Sequence, residues 1–470
     1  ADTTLTHTDG SGLTLNSTNK IMFNDASQFI QGSSATVLSL GATDEIDLTA
    51  TAMDFNGTVT ISGDTTLEDG ADLITASAGT DNVRIGATAG DSIQSGGNFN
   101  TLVGTNAGTA ITTGDSNVAV GRNALDAEVA GSLSVAVGVG TLTSQTNSTA
   151  TDVYNTAIGH AAGNQITTGH ENTIIGGLAG DALTTSSDNV AVGYEALGSQ
   201  VDGASQNTAV GYKAGRLNTG GDGLTAFGRQ ALEDNTTGQN NVAVGSLAMN
   251  NNTVGNFSVA IGRLALQDQN YGTSTNAYNV AIGHETGKEI TTGVNNVLIG
   301  GLAGDAMTDA DDNVAVGMQA LSTNILGSNS VAIGKDALLD QNPATATDMY
   351  NVAVGHHAGR LVSTGVFNTL IGGLTGDSLT TGVNNVAVGY AALSSDDVGN
   401  QSVAIGFGAL NQQNFATGTD GFNVAVGSKA GESVTTGVQN TLIGGQAGTS
   451  LTTPNQNVAV GHGALDAETA

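Results

Sequence analysis

Apolar and polar residues alternate along this chain in short bursts, each ending on glycine, as in Asn241-Val242-Ala243-Val244-Gly245. With that glycine as position 0, 22 copies run from Gly86 to Gly461, and most successive copies are 17 residues apart. Position −4 is Asn in 17 copies, Ser in four (Ser134, Ser258, Ser330, Ser402) and Leu224 in one. Position −1 is Val or Ile except at Phe227, and position −2 is usually Ala. This alternation predicts a short strand whose β-branched face points into a core. The closing glycine predicts a sharp corner with positive φ, where a Cβ would clash. A second apolar stretch follows, as in Ala179-Gly180-Asp181-Ala182-Leu183-Thr184-Thr185. Each rung is therefore expected to hold two short strands and two turns.

One rung has too little apolar surface to fold alone, but stacked rungs share a continuous core. The period is too short for a helix pair, and Val-Ala-Val-Gly is poor helix material. The expected fold is all-β: a repetitive parallel β-roll, or β-solenoid, of 22 rungs over residues 81–470, roughly 100 Å long at the usual strand spacing. Stacking would set Asn117, Asn155, Asn189, Asn241, Asn279, Asn313, Asn351, Asn385, Asn423 and Asn457 above one another as a hydrogen-bonded ladder.

A second period lies above the first. The gap after Gly138, Gly262, Gly334 and Gly406 is 21 residues, and the four Ser rungs are the ones before it. A separate rung class carries bulk at position −2 (Leu102, Ile174, Leu298, Leu370, Leu442). Duplication of a four-rung ancestor accounts for this 72-residue super-repeat, with the fourth rung missing after Gly193 and at the C-terminal end. Residues 1–80 do not keep the register. Alternating segments at 45–50 and 58–61, separated by Gly-Asp and Asn-Gly turn signals, predict an all-β shaft or connector there.

Charge narrows the function. Eleven Lys and Arg against 42 Asp and Glu leave a net charge of −31, which disfavours nucleic acid and anionic membrane surfaces. No run of about 18 apolar residues exists to span a membrane as a helix. Cysteine is absent, which excludes disulfides and thiolate metal sites. The chain opens on Ala1 rather than Met, so the lack of a visible signal peptide says little. Ala at position −2, taken as outward, and Ala at position +3 in 19 of 22 copies imply a second buried face. A homotrimer packed through small residues is the expected cover.

Strings such as Asn241-Val242-Ala243-Val244-Gly245 and Ser330-Val331-Ala332-Ile333-Gly334 resemble the head repeats of trimeric autotransporter adhesins. That resemblance implies a left-handed parallel β-roll in a trimer. Leu183-Thr184-Thr185 and Asn235-Thr236-Thr237-Gly238-Gln239-Asn240-Asn241 look more like repeats of bacteriophage tail fibres and related virion proteins, as does Ala42-Thr43-Asp44-Glu45-Ile46-Asp47-Leu48-Thr49-Ala50-Thr51. The roll resemblance covers roughly residues 82–465 and is specific for architecture rather than function. Neither the membrane barrel of the adhesins nor the chaperone-peptidase domain of phage fibres lies within the sequence up to Ala470.

Each longer gap ends on an aromatic: Tyr154, Tyr278, Tyr350 and Phe422. On protruding loops four rungs apart these would offer faces to a host cell-surface glycan; alternatively they fold back over the bulge. His160, His284, His356 and His462 follow the glycine, where a trimer axis could gather a three-His ring, but exposed corner histidines are commoner and no metal or other cofactor is expected. Gly176-Gly177-Leu178-Ala179-Gly180-Asp181 resembles a calcium nonapeptide repeat but has the wrong period. No triad, His-Glu-x-x-His or isolated carboxylate pair stands out from the repeats, so a non-enzyme is expected. The expected role is a structural fibre and host-attachment protein of a virion, joined to other virion or tail proteins at its N-terminal end. The alternatives are the head of an adhesin on a bacterial cell surface and a polysaccharide-degrading tailspike.

Overall fold

The computed structural model describes residues 77–201 and 203–467, together with five strands closer to the N-terminus. The chain divides into two units, Ala1–Asp72 and Leu73–Ala470, so the division falls eight residues before the expected one. In the first unit, Leu5–Thr8 and Gly12–Leu15 pair antiparallel, and Lys20–Met22, Phe29–Ser34 and Val37–Gly41 form a three-stranded antiparallel sheet. The segments expected to be strands at 45–50 and 58–61 lie outside the described residues.

The second unit is a β-solenoid with no helix among its described residues. Its main sheet starts at Val83–Ile85 and ends at Val458–Val460, every rung giving one three-residue strand that pairs parallel and in register with the rungs before and after it. Where a second strand was expected, the structure has instead a run of turns hydrogen-bonded from rung to rung, as from Gly108 N to Ala124 O (2.9 Å). Alternating Gly or Leu with small residues there supplies no β-branched alternation to hold a strand.

The corner glycines have the expected conformation. Gly300 has φ 133°, and a Cβ there would sit 2.5 Å from the carbonyl oxygen of Gly317, the same corner one rung on. Backbone approaches backbone at this edge, so no side chain fits.

The facing of the strand is opposite to expectation. Ala119, Ala243, Ala315 and Ala387 at position −2 are fully buried, whereas the β-branched residues at −3 and −1 point outward and are half-exposed, as at Val118, Val120, Val242 and Val244. Ala at position +3 (Ala107, Ala124, Ala248) is buried in the same core. The small residues therefore line each chain's own interior and form no second face, which removes the stated ground for a partner there. The reason lies in parity: position −4 is on the same side of the strand as −2. Its Asn is buried and bonded to backbone, so Ala must point inward with it. Large side chains reaching across from the turn side leave room for little more than a methyl group.

Those large side chains follow a volume rule that explains the four-rung period. Rungs with Gly at +4 carry Ile, Leu, Val or Met at +7 (Gly108 with Ile111, Gly304 with Met307), while rungs with Leu or Met at +4 carry an amide or acid at +7 (Leu125 with Glu128, Met249 with Asn252). Bulk at −2 falls only where Gly occupies +4 in its own rung and the one before. A Cβ on Gly287 would come 2.8 Å from Leu298, and one on Gly304 would come 3.1 Å from it. The exception balances as well. Gly215 is paired with polar Asn218, and in the next rung buried Leu224 replaces the usual Asn.

Candidate functional site

The Asn column is a run of hydrogen bonds broken at the four Ser rungs and at Leu224. Asn117 N donates to Asn100 Oδ1 (2.9 Å), and Asn117 Nδ2 donates to Gly131 O (2.9 Å). Nδ2 of Asn155, Asn241, Asn279, Asn351 and Asn423 makes the equivalent bond to the backbone carbonyl 14 residues on. The N–H of Asn189, Asn313, Asn385 and Asn457 each donates to Oδ1 of the Asn one rung earlier. Each amide thus satisfies backbone groups that the tight corner leaves without strand partners.

Serine interrupts this column at a defined place. Its side chain is too short to span the gap, and a Gln at +7 fills it: Gln145 Nε2 donates to Ser134 Oγ (3.0 Å), while Gln145 Oε1 accepts from Asn155 Nδ2 (2.9 Å). Gln269 and Gln413 make the same relay with Ser258 and Asn279, and with Ser402 and Asn423.

The longer gaps begin at these rungs. Each adds a two-residue parallel pairing outside the main sheet, such as Gly131–Ser132 with Thr151–Asp152, and an exposed three-residue tip. Every tip has Thr at its centre. The carbonyls of Thr149, Thr273, Thr345 and Thr417 each accept a bond from the Thr two residues on. Beneath each tip two buried residues trade volume: Asn147 with Val153, Tyr271 with Ala277, Pro343 with Met349, and Phe415 with Gly421. Tyr271 donates to Gly293 O (2.8 Å), and burial pushes its phenol pKa well up. Sequence reading passed over this plug, although the size exchange six residues apart was visible in the four copies.

Two plugs rest on buried carboxylates. Glu128 accepts five bonds, from the N–H groups of Val129, Gly131 and Asn147 and from the side-chain amides of Gln145 and Asn147. Asp396 accepts from Gly399 N (3.1 Å) and Gln413 Nε2 (2.7 Å), and burial raises its pKa. Asn252 and Asn324 occupy the same position in the other two units.

Tyr154, Tyr278, Tyr350 and Phe422 are not on the tips. They lie four residues past them at position −5, about half-exposed, on one long border of the strand face. Tyr278 stacks on Phe257 (5.4 Å between centroids) and Tyr350 on Phe367 (5.6 Å), each in an adjacent rung. They do not fold back over the bulge, since the plug residues fill it. The opposite border, position +1, carries His160, His284, His356 and His462, along with Tyr194 stacked on Tyr212 (5.8 Å) and Tyr390 on Phe407 (5.8 Å). Between the borders runs an uninterrupted outward strip of Val, Ile and Thr, with Phe227 the bulkiest member. It spans all 22 rungs.

Elsewhere a cleft of about 210 Å³ opens where the super-repeat skips a rung, lined by Leu178, Asp181, Glu195, Gly198, Ser199 and Arg216. Burial and the nearby Glu195 raise the pKa of Asp181, and Arg216 is bonded to Glu233 (2.9 Å). Among the described residues no group of His, Asp and Glu is placed to hold a metal ion, and no helix is long and apolar enough to cross a membrane. Comparison with protein families, curated proteins and solved structures returned no match.

Proposed function

We propose that this chain is a structural fibre and host-attachment protein, a tail fibre or similar virion appendage in which copies bundle side by side as a homotrimer. The observation that carries this reading is the outward strip of β-branched residues. An apolar surface on the order of 100 Å long, continuous and flat, is far larger than the scattered apolar patches of monomers and marks an interaction surface. The same strip supports stiffness, because every rung repeats the same short-range contacts and no hinge interrupts the main sheet. The thin core also favours bundling. A single roll buries mostly Ala and one or two Leu-sized side chains in most rungs, and association adds buried area without lengthening the chain.

In this reading the shaft keeps a receptor-binding element away from the particle, other virion proteins hold its N-terminal end, and the small Thr-centred tips are where a host glycan is met. Sedimentation of the intact protein tests the assembly: a mass of three chains is expected, and a single chain at micromolar concentration overturns it. Binding of the labelled rod to candidate host cells, and its loss on Thr273→Ala with Thr345→Ala at the tips, tests attachment. Reducing ends released from host polysaccharide would replace the structural reading with the tailspike one.

A further inference from the structure

The two borders of the strand face differ in chemistry, and the difference is complementary. Position +1 holds four of the chain's eleven Lys and Arg (Arg122, Arg229, Arg263, Lys335) and four of its seven His, with no Asp or Glu in any of 22 rungs, although acids outnumber bases fourfold overall. Position −5 holds no base at all. Its residues are four acids (Asp81, Glu171, Asp188, Asp312), eight amides, seven aromatics, and Ser116, Leu133 and Gly223. No rung has an aromatic on both borders.

The match is local as well as overall. In the rungs of Gly262 and Gly283, position −5 presents the stacked rings of Phe257 and Tyr278, while position +1 presents Arg263 and His284, whose Nη1 and Nε2 lie 3.1 Å apart. A ring platform and an Arg–His pair thus occupy the same two rungs, on opposite borders of one chain. Tyr350 with His356, and Tyr154 with His160, again set a ring at −5 and a histidine at +1 of one rung. Further along, the rings are at +1 (Tyr194, Tyr212) and the polar residues at −5 (Asp188, Gln206). Within one chain these partners cannot meet, because six residues of mostly extended backbone, roughly 15–20 Å, separate them.

We infer that the two borders recognise each other between copies of this chain, position −5 of one copy against position +1 of the next, with the rods parallel and the rungs level. The inference rests on the bundle proposed above and specifies its polarity and register. In level register Phe257 faces Arg263, and Tyr154, Tyr278 and Tyr350 face His160, His284 and His356, which gives cation–π and stacked contacts. Packing of parallel rods around a common axis joins unlike borders, which is what this chemistry fits. Antiparallel rods facing each other would bring the basic border against itself, and a one-rung slip would misplace Phe257 and Tyr278 relative to Arg263 and His284.

The chain's lack of cysteine allows a direct test. In Tyr278→Cys/His284→Cys, both substitutions are on exposed side chains, and the in-chain separation is far beyond disulfide reach of about 7 Å between Cα atoms. Oxidation of the intact protein should yield covalently linked copies on non-reducing denaturing gels, as should Tyr350→Cys/His356→Cys. Each single-cysteine variant, and the off-level pair Tyr278→Cys/Met318→Cys two rungs apart, should link at least tenfold less. Equal linking by a single variant or by the off-level pair overturns the inference, as does no linking by either level pair in protein that sediments as a bundle. A wild-type protein that sediments as one chain removes the bundle itself, and the two failures are therefore separable.

Discussion

The inner and outer faces of the same three-residue strand obey different rules. Inside, Asn at −4 and Ala at −2 recur almost without change, and each departure is balanced by a neighbour: Ser by Gln, Leu at −2 by two glycines, Leu224 by Asn218. Outside, −3 and −1 keep only a β-branched or apolar type, while −5 and +1 vary widely in size and each excludes one sign of charge. Packing against backbone imposes the first kind of repetition, because an error there has nowhere to relax. Adjacent residues with opposite fates can therefore probe where structure ends and function begins.

The sharpest break is expected at the corner. Gly300→Ala combines strained φ with a Cβ against the Gly317 carbonyl, and should lower stability by about 3–5 kcal/mol, whereas Gly301→Ala beside it has open space and should stay within about 0.5 kcal/mol. Urea titration of both variants checks this contrast. Leu298→Ala, fully buried, should cost about 2–5 kcal/mol, while Ile299→Ala, the next residue and 36% exposed, should cost under about 1 kcal/mol in a lone chain and show itself as weaker self-association by sedimentation. Asn279→Ala leaves the N–H of Asn296 unpaired in the interior, removes one of the two bonds to the Gly293 carbonyl, and should cost about 1–3 kcal/mol, read as lost amide protection in the rung of Gly300.

The smallest effect concerns pH. Burial raises the Asp396 pKa, so the folded protein holds that proton more tightly than the unfolded chain. Stability from this group is then greatest below the ordinary aspartate pKa of 3.8 and falls as pH rises from there through the raised value. Asp396→Asn, which copies Asn252 and Asn324, should abolish that decline. Urea midpoints at pH 4 and pH 8 that change equally in variant and wild type would contradict it.

The rung count, the corner glycines and the four insertions were legible in the sequence because each repeats at a fixed interval. The direction of the strand was not. Alternation marks two faces without saying which is inside, and β-propensity argues for burying Val242 and Val244 rather than Ala243. The aromatics of the insertions were legible as a set, yet their position was missed, because nothing in Tyr278 itself tells that Tyr271, seven residues earlier, already fills the bulge.

What the sequence alone determined is the period: a glycine every 17 residues that must turn a corner commits the chain to stacked, parallel rungs. What only the tertiary structure decided is which side of each strand becomes surface. That choice depends on side chains reaching across from the turn side, such as Ile290 and Leu321, whose volume leaves space for Ala and a bonded Asn but none for Val. The β-branched strip is outside because the core was already full.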